Sequence, residues 1–225
     1  MRTIVVGAGG HARSVIAALR SSGEALEPVA CTDPDAALHG SEIDGVPVLG
    51  ADGLLPELLD GGAAACLGLG AVGDNRPRAR LYAHVAALGF VLPKVIHGRA
   101  HVDSTASIGA GSVVLAGALV GPGAVIGENV IVGTGAIVEH DCRIGDHAHL
   151  ASGCVLGGAA AVAASAHVGL GAVVLQGRGV GPLALVGAGA VVVRDVPSGE
   201  TVAGSPARTL TTANGATTDW ADGRR

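Results

Sequence analysis

An unbroken six-residue repeat of aliphatic side chains runs from Ile96 to Val192. All seventeen of these positions hold Val, Ile or Leu, and four residues after most of them stands a small or β-branched side chain, with Arg178 the clear exception. A period of six matches neither the 3.6-residue turn of an α-helix nor the two-residue alternation of a simple strand. Biased composition does not create a fixed phase over about a hundred residues. The repeat therefore predicts a parallel β-helix, in which each hexapeptide forms one short strand and one corner.

Such hexapeptides resemble those of the left-handed β-helix, in which three repeats close one triangular coil. The run then corresponds to between five and six coils, with the aliphatic side chains pointing inward. Glycine commonly follows the aliphatic residue, as a corner with unusual backbone angles requires. No insertion interrupts the phase, so we expect no long external loop within the coils.

The N-terminal third alternates short apolar runs with helical stretches. Strands are predicted over 2–6, 28–31, 46–49 and 63–67, and helices over 14–23, 54–59 and 78–88. This alternation favours a small parallel α/β sheet. The predicted fold class is thus an α/β, Rossmann-like domain (residues 1–92) followed by an all-β left-handed parallel β-helix (93–210). A polar tail, 211–225, is expected to be largely disordered.

A glycine-rich loop, GAGGHA, connects the first strand to the first helix at residues 7–12. Glycines at such a turn let backbone N–H groups approach an anion at the helix N-terminus, so the loop is typical of a phosphate cradle. The G-x-G-x-x-A spacing also fits a dinucleotide fingerprint, with Asp33 at the end of the second strand. Two alternatives stay open: a purely structural turn, and a nicotinamide-dependent dehydrogenase, which is disfavoured because a β-helix follows where a second catalytic domain would be needed.

Composition excludes several classes of protein. The net charge is −5 and no basic run occurs, so nucleic acid is not an expected partner. No signal peptide and no membrane span are expected, because the chain opens directly on a short apolar strand and lacks a long apolar stretch. The four cysteines form no CxxC pair and are interpreted as reduced core residues of a cytoplasmic protein.

Five segments together carry a family resemblance. They are GAGGHA at 7–12, GDN-x-x-R at 73–78, VIH at 95–97, VEHDCRIGDHAHLASG at 138–153 and AGSPAR at 203–208. Their order resembles the sugar O-acyltransferase family, which includes sialic-acid O-acetyltransferases and bacterial UDP-amino-sugar N-acetyltransferases. The resemblance implies acetyl-CoA as co-substrate, a nucleotide-linked sugar as acceptor with a UDP-amino-sugar favoured, and no metal. It also implies a homotrimer with active sites between subunits.

The resemblance assigns roles to the polar hexapeptide VEHDCR and to the repeats after it. His140 matches the general base of the family, and Asp141 matches the acid that orients the imidazole. His149 matches a contact to the acetyl end of the thioester, and Gly158 matches a backbone N–H donor to the thioester oxygen. Further acetyl-CoA contacts are implied at Leu170 and Ala188.

The same resemblance places the nucleotide sugar on the N-terminal domain. Gly9, Gly10 and His11 of the glycine loop, and Asp33 after the second strand, are the implied contacts. Gly73 of the GDN segment is a further candidate. Relatives often carry Asn where this chain has a glycine at position 133, which leaves one acceptor contact undetermined.

The repeat spacing supports the donor half of this assignment. Residues eighteen apart stack on one edge of a β-helix, so Gly158 is expected one coil from His140, roughly 5 Å along the axis. Among the other histidines, His147 is interpreted as a surface residue, and His167 as a solvated residue with a contact to the cofactor as the alternative. Arg178 is expected either to distort one corner or to reach outward toward a phosphate.

Two other functions remain open from the residues. One is an acyltransferase of the same build acting on a non-nucleotide acceptor such as sialic acid, an antibiotic sugar or an amino acid. The other is a non-catalytic hexapeptide scaffold or binding protein. A covalent route through Cys142 or Cys154 is disfavoured, because both occupy small-residue positions expected to face the interior.

Overall fold

The structure is a computed structural model that describes residues 1–59 and 62–210, so the predicted tail at 211–225 lies outside the described residues. Its N-terminal part alternates strands and helices. These elements are β1 (Arg2–Val6), α1 (Gly10–Ser21), β2 (Glu27–Thr32), β3 (Glu42–Ile43), β4 (Val46–Gly50), α2 (Leu55–Leu58), β5 (Ala64–Leu67) and α3 (Arg76–Ala87).

The N-terminal strands form one five-stranded sheet in the order β3-β4-β2-β1-β5. β1, β2, β4 and β5 are parallel, and the short edge strand β3 runs antiparallel to β4. Continuous apolar runs such as that of β1 suit a sheet covered on both faces, and four of its five residues are buried. The predicted Rossmann-like α/β class is confirmed, whereas the β3–β4 hairpin was not predicted.

The remaining strands are each two or three residues long and recur with the predicted period. They are β6 (Val95–Ile96), β7 (His101–Val102), β8 (Ser107–Ile108), β9 (Val113–Val114), β10 (Leu119–Val120), β11 (Val125–Ile126), β12 (Ile131–Val132), β13 (Ile137–Val138), β14 (Arg143–Ile144), β15 (His149–Leu150), β16 (Val155–Leu156), β17 (Ala161–Val162), β18 (His167–Val168), β19 (Val173–Val174), β20 (Gly179–Val180), β21 (Leu185–Val186), β22 (Val191–Val192), β23 (Thr201–Ala203) and β24 (Arg208–Thr209).

From β6 to β23 the strands pair in parallel with the strand one coil away, as Val120 does with Val138 and Val138 with Leu156, whereas β24 runs antiparallel to β23. The pairing builds three flat sheets: face 1 (β24-β23-β21-β18-β15-β12-β9-β6), face 2 (β22-β19-β16-β13-β10-β7) and face 3 (β20-β17-β14-β11-β8). The aliphatic and small positions of successive hexapeptides fill the interior as one continuous core. This is the predicted left-handed β-helix.

The N-terminal domain packs on face 1 of the β-helix. Helix α1 contacts β6 and β9, and its residue Val15 belongs to the same buried cluster as Val113 and Ile131 of face 1. The outer sides of faces 2 and 3 receive no such cover within residues 1–59 and 62–210. Among the same residues, no helix combines the length and apolar character needed to cross a membrane.

The coil that closes the prism is shorter than the others. Val196 pairs with Val180, a step of 16 residues rather than 18. Arg178 lies beside this shortened coil. Its guanidinium approaches Asp195 at 3.7 Å, and its side chain is 43% exposed. The structure thus places Arg178 outward, and any contact with a phosphate remains a prediction.

Candidate active site

His140 and Asp141 lie at the edge between faces 2 and 3, in the corner that connects β13 to β14. Asp141 has a left-handed backbone, with φ of 60°. Its carboxylate lies 2.9 Å from Nδ1 of His140. A carboxylate only accepts hydrogen bonds, so Nδ1 carries the proton and Nε2 keeps a free lone pair. Both side chains are exposed, so the pair adds little stability and instead orients the imidazole.

Gly158 lies directly against this imidazole, one coil further along the same edge. A Cβ at position 158 would stand 2.4 Å from Nε2 of His140, so any larger residue would displace the ring. The neighbouring N–H groups of Gly157 and Ala159 donate to Val174 and His140 carbonyls, whereas that of Gly158 donates to no described group. The corner therefore places a proton acceptor beside a free N–H donor, the pairing that acyl transfer requires.

The nearby cysteines are not available as nucleophiles. Cys142 and Cys154 are fully buried in the core of the prism, where the Sγ of Cys142 donates to the Gly157 carbonyl. Burial raises the pKa of Cys154 to about 12 and also raises that of Cys142. Both are therefore protonated thiols near neutral pH, which disfavours a covalent route.

His149 occupies a different environment on face 1, beneath the chain segment that precedes α3. Its Nδ1 lies 2.5 Å from the Ala71 carbonyl, and its ring meets that of His167 edge-on at 4.7 Å. Burial, with a contribution from His167, lowers the pKa of His149 to about 3. The imidazole is therefore neutral, with Nδ1–H donated to the carbonyl and Nε2 left as an acceptor.

Of the two other histidines on these coils, one differs from its sequence interpretation. His167 is buried, 7% exposed, so the prediction that it is solvated was wrong. It is covered because the N-terminal domain docks on face 1, which no hexapeptide pattern specifies. His147 is only half-buried: its ring packs edge-on against Tyr82, and Nδ1 pairs with the side-chain amide of Asn129.

One chain does not bring all of the predicted site residues together. His140 and Gly158 lie on the edge between faces 2 and 3, whereas His149 lies on face 1, the side of the prism opposite that edge. Leu170, which is exposed, and Ala188 stand on the edge between faces 1 and 2.

A groove of about 520 Å³ runs along the outer side of face 3. It is lined by small and aliphatic residues such as Val125 and Ala161, with Arg143 and Asp195 contributing charge. Sequence reasoning did not single out this groove.

The glycine loop forms an open turn at the start of α1. Gly7 has φ of 102°, and a Cβ there would approach the backbone N of Leu69 to 2.9 Å, so glycine is required. Gly9 and Gly10 border open space, and α1 begins without a side-chain cap. The Ala12 N–H donates to the Gly9 carbonyl, whereas the N–H groups of Gly10 and His11 donate to no described group and are free to bind an anion.

Asp33 is engaged with this loop rather than standing free. Its Oδ2 accepts from the Ala8 N–H at 2.7 Å, and its Oδ1 accepts from the Asp35 N–H at 2.9 Å. The carboxylate therefore ties the end of β2 to the glycine loop, a role that the fingerprint spacing did not reveal.

The other two predicted nucleotide-sugar contacts, His11 and Gly73, are less open than Gly9 and Gly10. His11 turns under the segment before α3, where burial and then the nearby Arg78 charge lower its pKa to about 3. Gly73, with φ of 75°, packs against face 1, where a Cβ would meet Cδ1 of Leu185 at 3.2 Å.

Sequence reasoning missed two buried polar residues of the GDN-x-x-R segment. Asn75 donates through Nδ2 to the carbonyls of Ser165 and Ala166, and Arg78 is fully buried beside β5. The motif itself was the available signal, but only Gly73 was selected from it. Within the described residues, no group of three possible metal ligands occurs.

Comparisons with known proteins match both halves of the chain. The PglD N-terminal domain family matches residues 2–85, and the bacterial transferase hexapeptide family (six repeats) matches residues 123–158. Among curated proteins no match was found.

Solved structures match nearly the whole length. The acetyltransferase domain of PglB from Neisseria gonorrhoeae FA1090, in complex with acetyl coenzyme A, is 39% identical with a TM-score of 0.84, over 93% of this chain and 98% of that one. A mutant perosamine N-acetyltransferase from Caulobacter crescentus, in complex with CoA and GDP-perosamine, is 36% identical with a TM-score of 0.85, over 94% and 98%. Fold and site together define a hexapeptide-repeat acyltransferase. The chain belongs to the hexapeptide-repeat sugar acyltransferase family.

Proposed function

We propose that the protein transfers the acetyl group of acetyl-CoA to the amino group of a nucleotide-linked sugar, with His140 as general base. The observation that carries this proposal is the corner in which Nε2 of His140, oriented by Asp141, stands beside the free N–H of Gly158. The relatives support it, because one is a PglB acetyltransferase domain with acetyl coenzyme A and another a perosamine N-acetyltransferase with CoA and GDP-perosamine.

The reaction proceeds by direct attack. The acceptor nitrogen attacks the acetyl carbon and gives its proton to Nε2 of His140. The Gly158 N–H stabilises the negative charge that develops on the thioester oxygen. The carbon–sulfur bond then breaks, and the CoA thiolate takes the proton back from the imidazolium, which restores the neutral base.

The binding roles follow from where open space and free donors lie. Gly9 and Gly10 at the start of α1 hold the diphosphate of the nucleotide sugar, since that helix end is uncapped. Asp33 supports the loop, and His11 and Gly73 line the deeper part of the same domain. For acetyl-CoA, we assign contacts to His149, Leu170 and Ala188 along with Gly158.

We also propose that the active protein is a homotrimer with its sites between neighbouring prisms. The separation of His140 from His149 within one chain calls for a second copy. Face 2 supplies a surface for it, since its outer positions form an aliphatic ladder, exposed or half-buried, at Leu119, Ile137, Val155, Val173 and Val191. A cytoplasmic location is part of the proposal and is supported by four free, buried cysteines.

The function is tested by CoA thiol release from acetyl-CoA with a panel of acceptors. The panel contains amino sugars linked to UDP, GDP and dTDP, matched sugars with hydroxyl in place of the amine, and free sialic acid and amino acids. We expect turnover with an amino sugar linked to one of the nucleotides, and its loss in His140→Ala. Turnover only with non-nucleotide acceptors, or tight nucleotide binding without turnover, would contradict the proposal.

The assembly is tested by placing a charge on the aliphatic ladder. Val155→Asp is expected to convert the trimer to monomers by light scattering and to lower activity at least about tenfold, because a buried unpaired carboxylate opposes association. Ser104→Asp, on an exposed corner, serves as the control and should remain trimeric. A monomeric wild-type protein with full activity would overturn this part of the proposal.

A further inference from the structure

The segment of residues 68–75, here called the bridging segment, touches both halves of the molecule. At its start, a Cβ on Gly68 would lie 2.1 Å from the Gly7 carbonyl of the glycine loop. Two residues on, a Cβ on Gly70 would lie 3.2 Å from Cβ of His11. In its middle, the Ala71 carbonyl meets His149 on face 1. The bridging segment therefore lies between the proposed nucleotide cradle and the proposed thioester pocket.

Arg78 fixes the beginning of this segment. Its NH1 donates to the Leu69 carbonyl at 2.6 Å and to the Leu67 carbonyl at 3.1 Å. The guanidinium is fully buried and forms no ion pair with any acid among the described residues. Burial lowers its pKa to about 9. An unpaired charge is costly to bury, so packing alone does not account for an arginine here.

Asn75 fixes the end of the segment. Its Nδ2 donates to the Ala166 carbonyl at 2.9 Å and to the Ser165 carbonyl at 3.3 Å. These carbonyls belong to the corner immediately before His167, whose ring packs on that of His149. Because Arg78 holds one end of the bridging segment and Asn75 the other, the Ala71 carbonyl between them is kept pointing at Nδ1 of His149.

This contact decides which nitrogen of His149 holds the proton. Since a carbonyl only accepts, Nδ1 must donate and Nε2 must be unprotonated as long as the ring is neutral. Burial lowers the pKa of this ring, and His167, His11 and Arg78 lower it further, which together outweigh the Ala71 carbonyl that raises it. Nδ1 is occupied by the Ala71 carbonyl, so a ligand can reach only Nε2 of His149. There Nε2 accepts a hydrogen bond from an N–H or O–H group of the ligand.

We infer that Arg78 is a positioning residue: by holding the carbonyls of Leu67 and Leu69, it aims the Ala71 carbonyl at His149 and fixes that imidazole in its Nδ1–H form. The inference rests on the proposed function only in assigning His149 to the acetyl-CoA pocket. The tautomer of His149 can be measured whether or not the protein turns over a sugar.

The first test is spectroscopic. Long-range ¹H–¹⁵N spectra of protein labelled with ¹⁵N-histidine report which ring nitrogen bears the proton, and loss of one signal set in His149→Gln assigns it. In wild-type protein at pH 7 we expect His149 to be neutral and protonated at Nδ1. A charged His149, or one protonated at Nε2, would contradict the inference. This result does not depend on the folding of any Arg78 variant, because it is measured on wild-type protein.

The second test compares Arg78→Met with Arg80→Met, an exposed arginine two residues along the same helix. In Arg78→Met we expect the His149 signals to lose the pure Nδ1–H pattern and the KM for acetyl-CoA to rise about tenfold. The kcat should change by less than about threefold. Arg78→Lys, which keeps a charged donor, should restore part of the KM, and Arg80→Met should behave as wild type.

A purely structural role for Arg78 gives a different result. The folded fraction and apparent kcat of Arg78→Met would fall together, while the KM and the His149 spectrum of the folded protein stayed unchanged, and this would refute the inference. If no acetyl transfer occurs with any acceptor, the proposed function fails, but the spectra still decide the inference.

Discussion

His140 and His149 stand nine residues apart in the chain and in opposite surroundings. His140 is exposed at a corner, with a carboxylate on Nδ1. His149 is half-buried beneath the N-terminal domain, with a carbonyl on Nδ1 and a pKa lowered to about 3. A general base must gain a charge during each turnover, which solvent and a carboxylate permit at His140 and burial opposes at His149. The comparison supports the proposal that His140, and not His149, carries the proton transfer.

The division of roles between His140 and His149 is tested most directly by removing each imidazole in turn. We expect His140→Ala to lower kcat about a thousandfold, since proton transfer is lost. His149→Ala should instead raise the KM for acetyl-CoA about tenfold with little change in kcat. Steady-state kinetics of thiol release distinguishes the two patterns. Equal losses of kcat in both variants would contradict the division of roles.

A second prediction concerns the space beside His140. In Gly158→Ala the new Cβ would overlap Nε2, so the imidazole must swing away from the thioester. We expect kcat to fall about a hundredfold, an effect comparable to losing one oxyanion donor, while the fold is retained by circular dichroism. The control is Gly23→Ala, where a Cβ meets nothing within 4 Å and activity should persist. Full activity of Gly158→Ala would show that the ring is not held at this position.

The final prediction concerns stability in acid. Burial lowers the pKa of His11 and His149 to about 3 and that of His167 to about 4, from an ordinary value of 6.5. Between these values the unfolded chain binds protons that the folded chain excludes, so the free energy of unfolding falls as the pH drops below 6.5. At pH 5 the loss is about 2 kcal/mol for each histidine.

Urea unfolding at pH 7 and pH 5 measures this loss. His149→Gln should reduce the difference in unfolding free energy between pH 7 and pH 5, because only two of the three histidines then take up a proton on unfolding. His84→Gln, at an exposed position on α3, should leave the difference unchanged. An unfolding free energy that does not vary between the two pH values would mean that these rings are not held neutral.

The β-helix was predictable because its information is local. Each hexapeptide specifies its own inward residue and its own corner, so the phase from Ile96 to Val192 determined strands, core and the stacking of Gly158 on His140. The glycine loop was recognised for the same reason. Element ends moved by a few residues, as with α1, which begins at Gly10 rather than near residue 14, because glycines at a helix start weaken the periodic signal.

What the sequence did not provide is the docking of the N-terminal domain on face 1. That contact buries His167, turns His11 inward and surrounds Arg78, and it depends on pairs of residues up to about ninety positions apart. The engagement of Asp33 with the Ala8 N–H was missed likewise, since it joins two separate loops. Periodicity describes one element at a time and carries no signal for such pairings.

The proposed base and the proposed oxyanion donor belong to adjacent coils, so their backbones are separated by the spacing of hydrogen-bonded strands, about 4.8 Å. Neither a flexible loop nor a lid sets that spacing. The proposed donor half of the site is therefore rigid. A different acceptor sugar can be accommodated by changes in the N-terminal domain alone, while the corner that holds His140 and Gly158 stays the same.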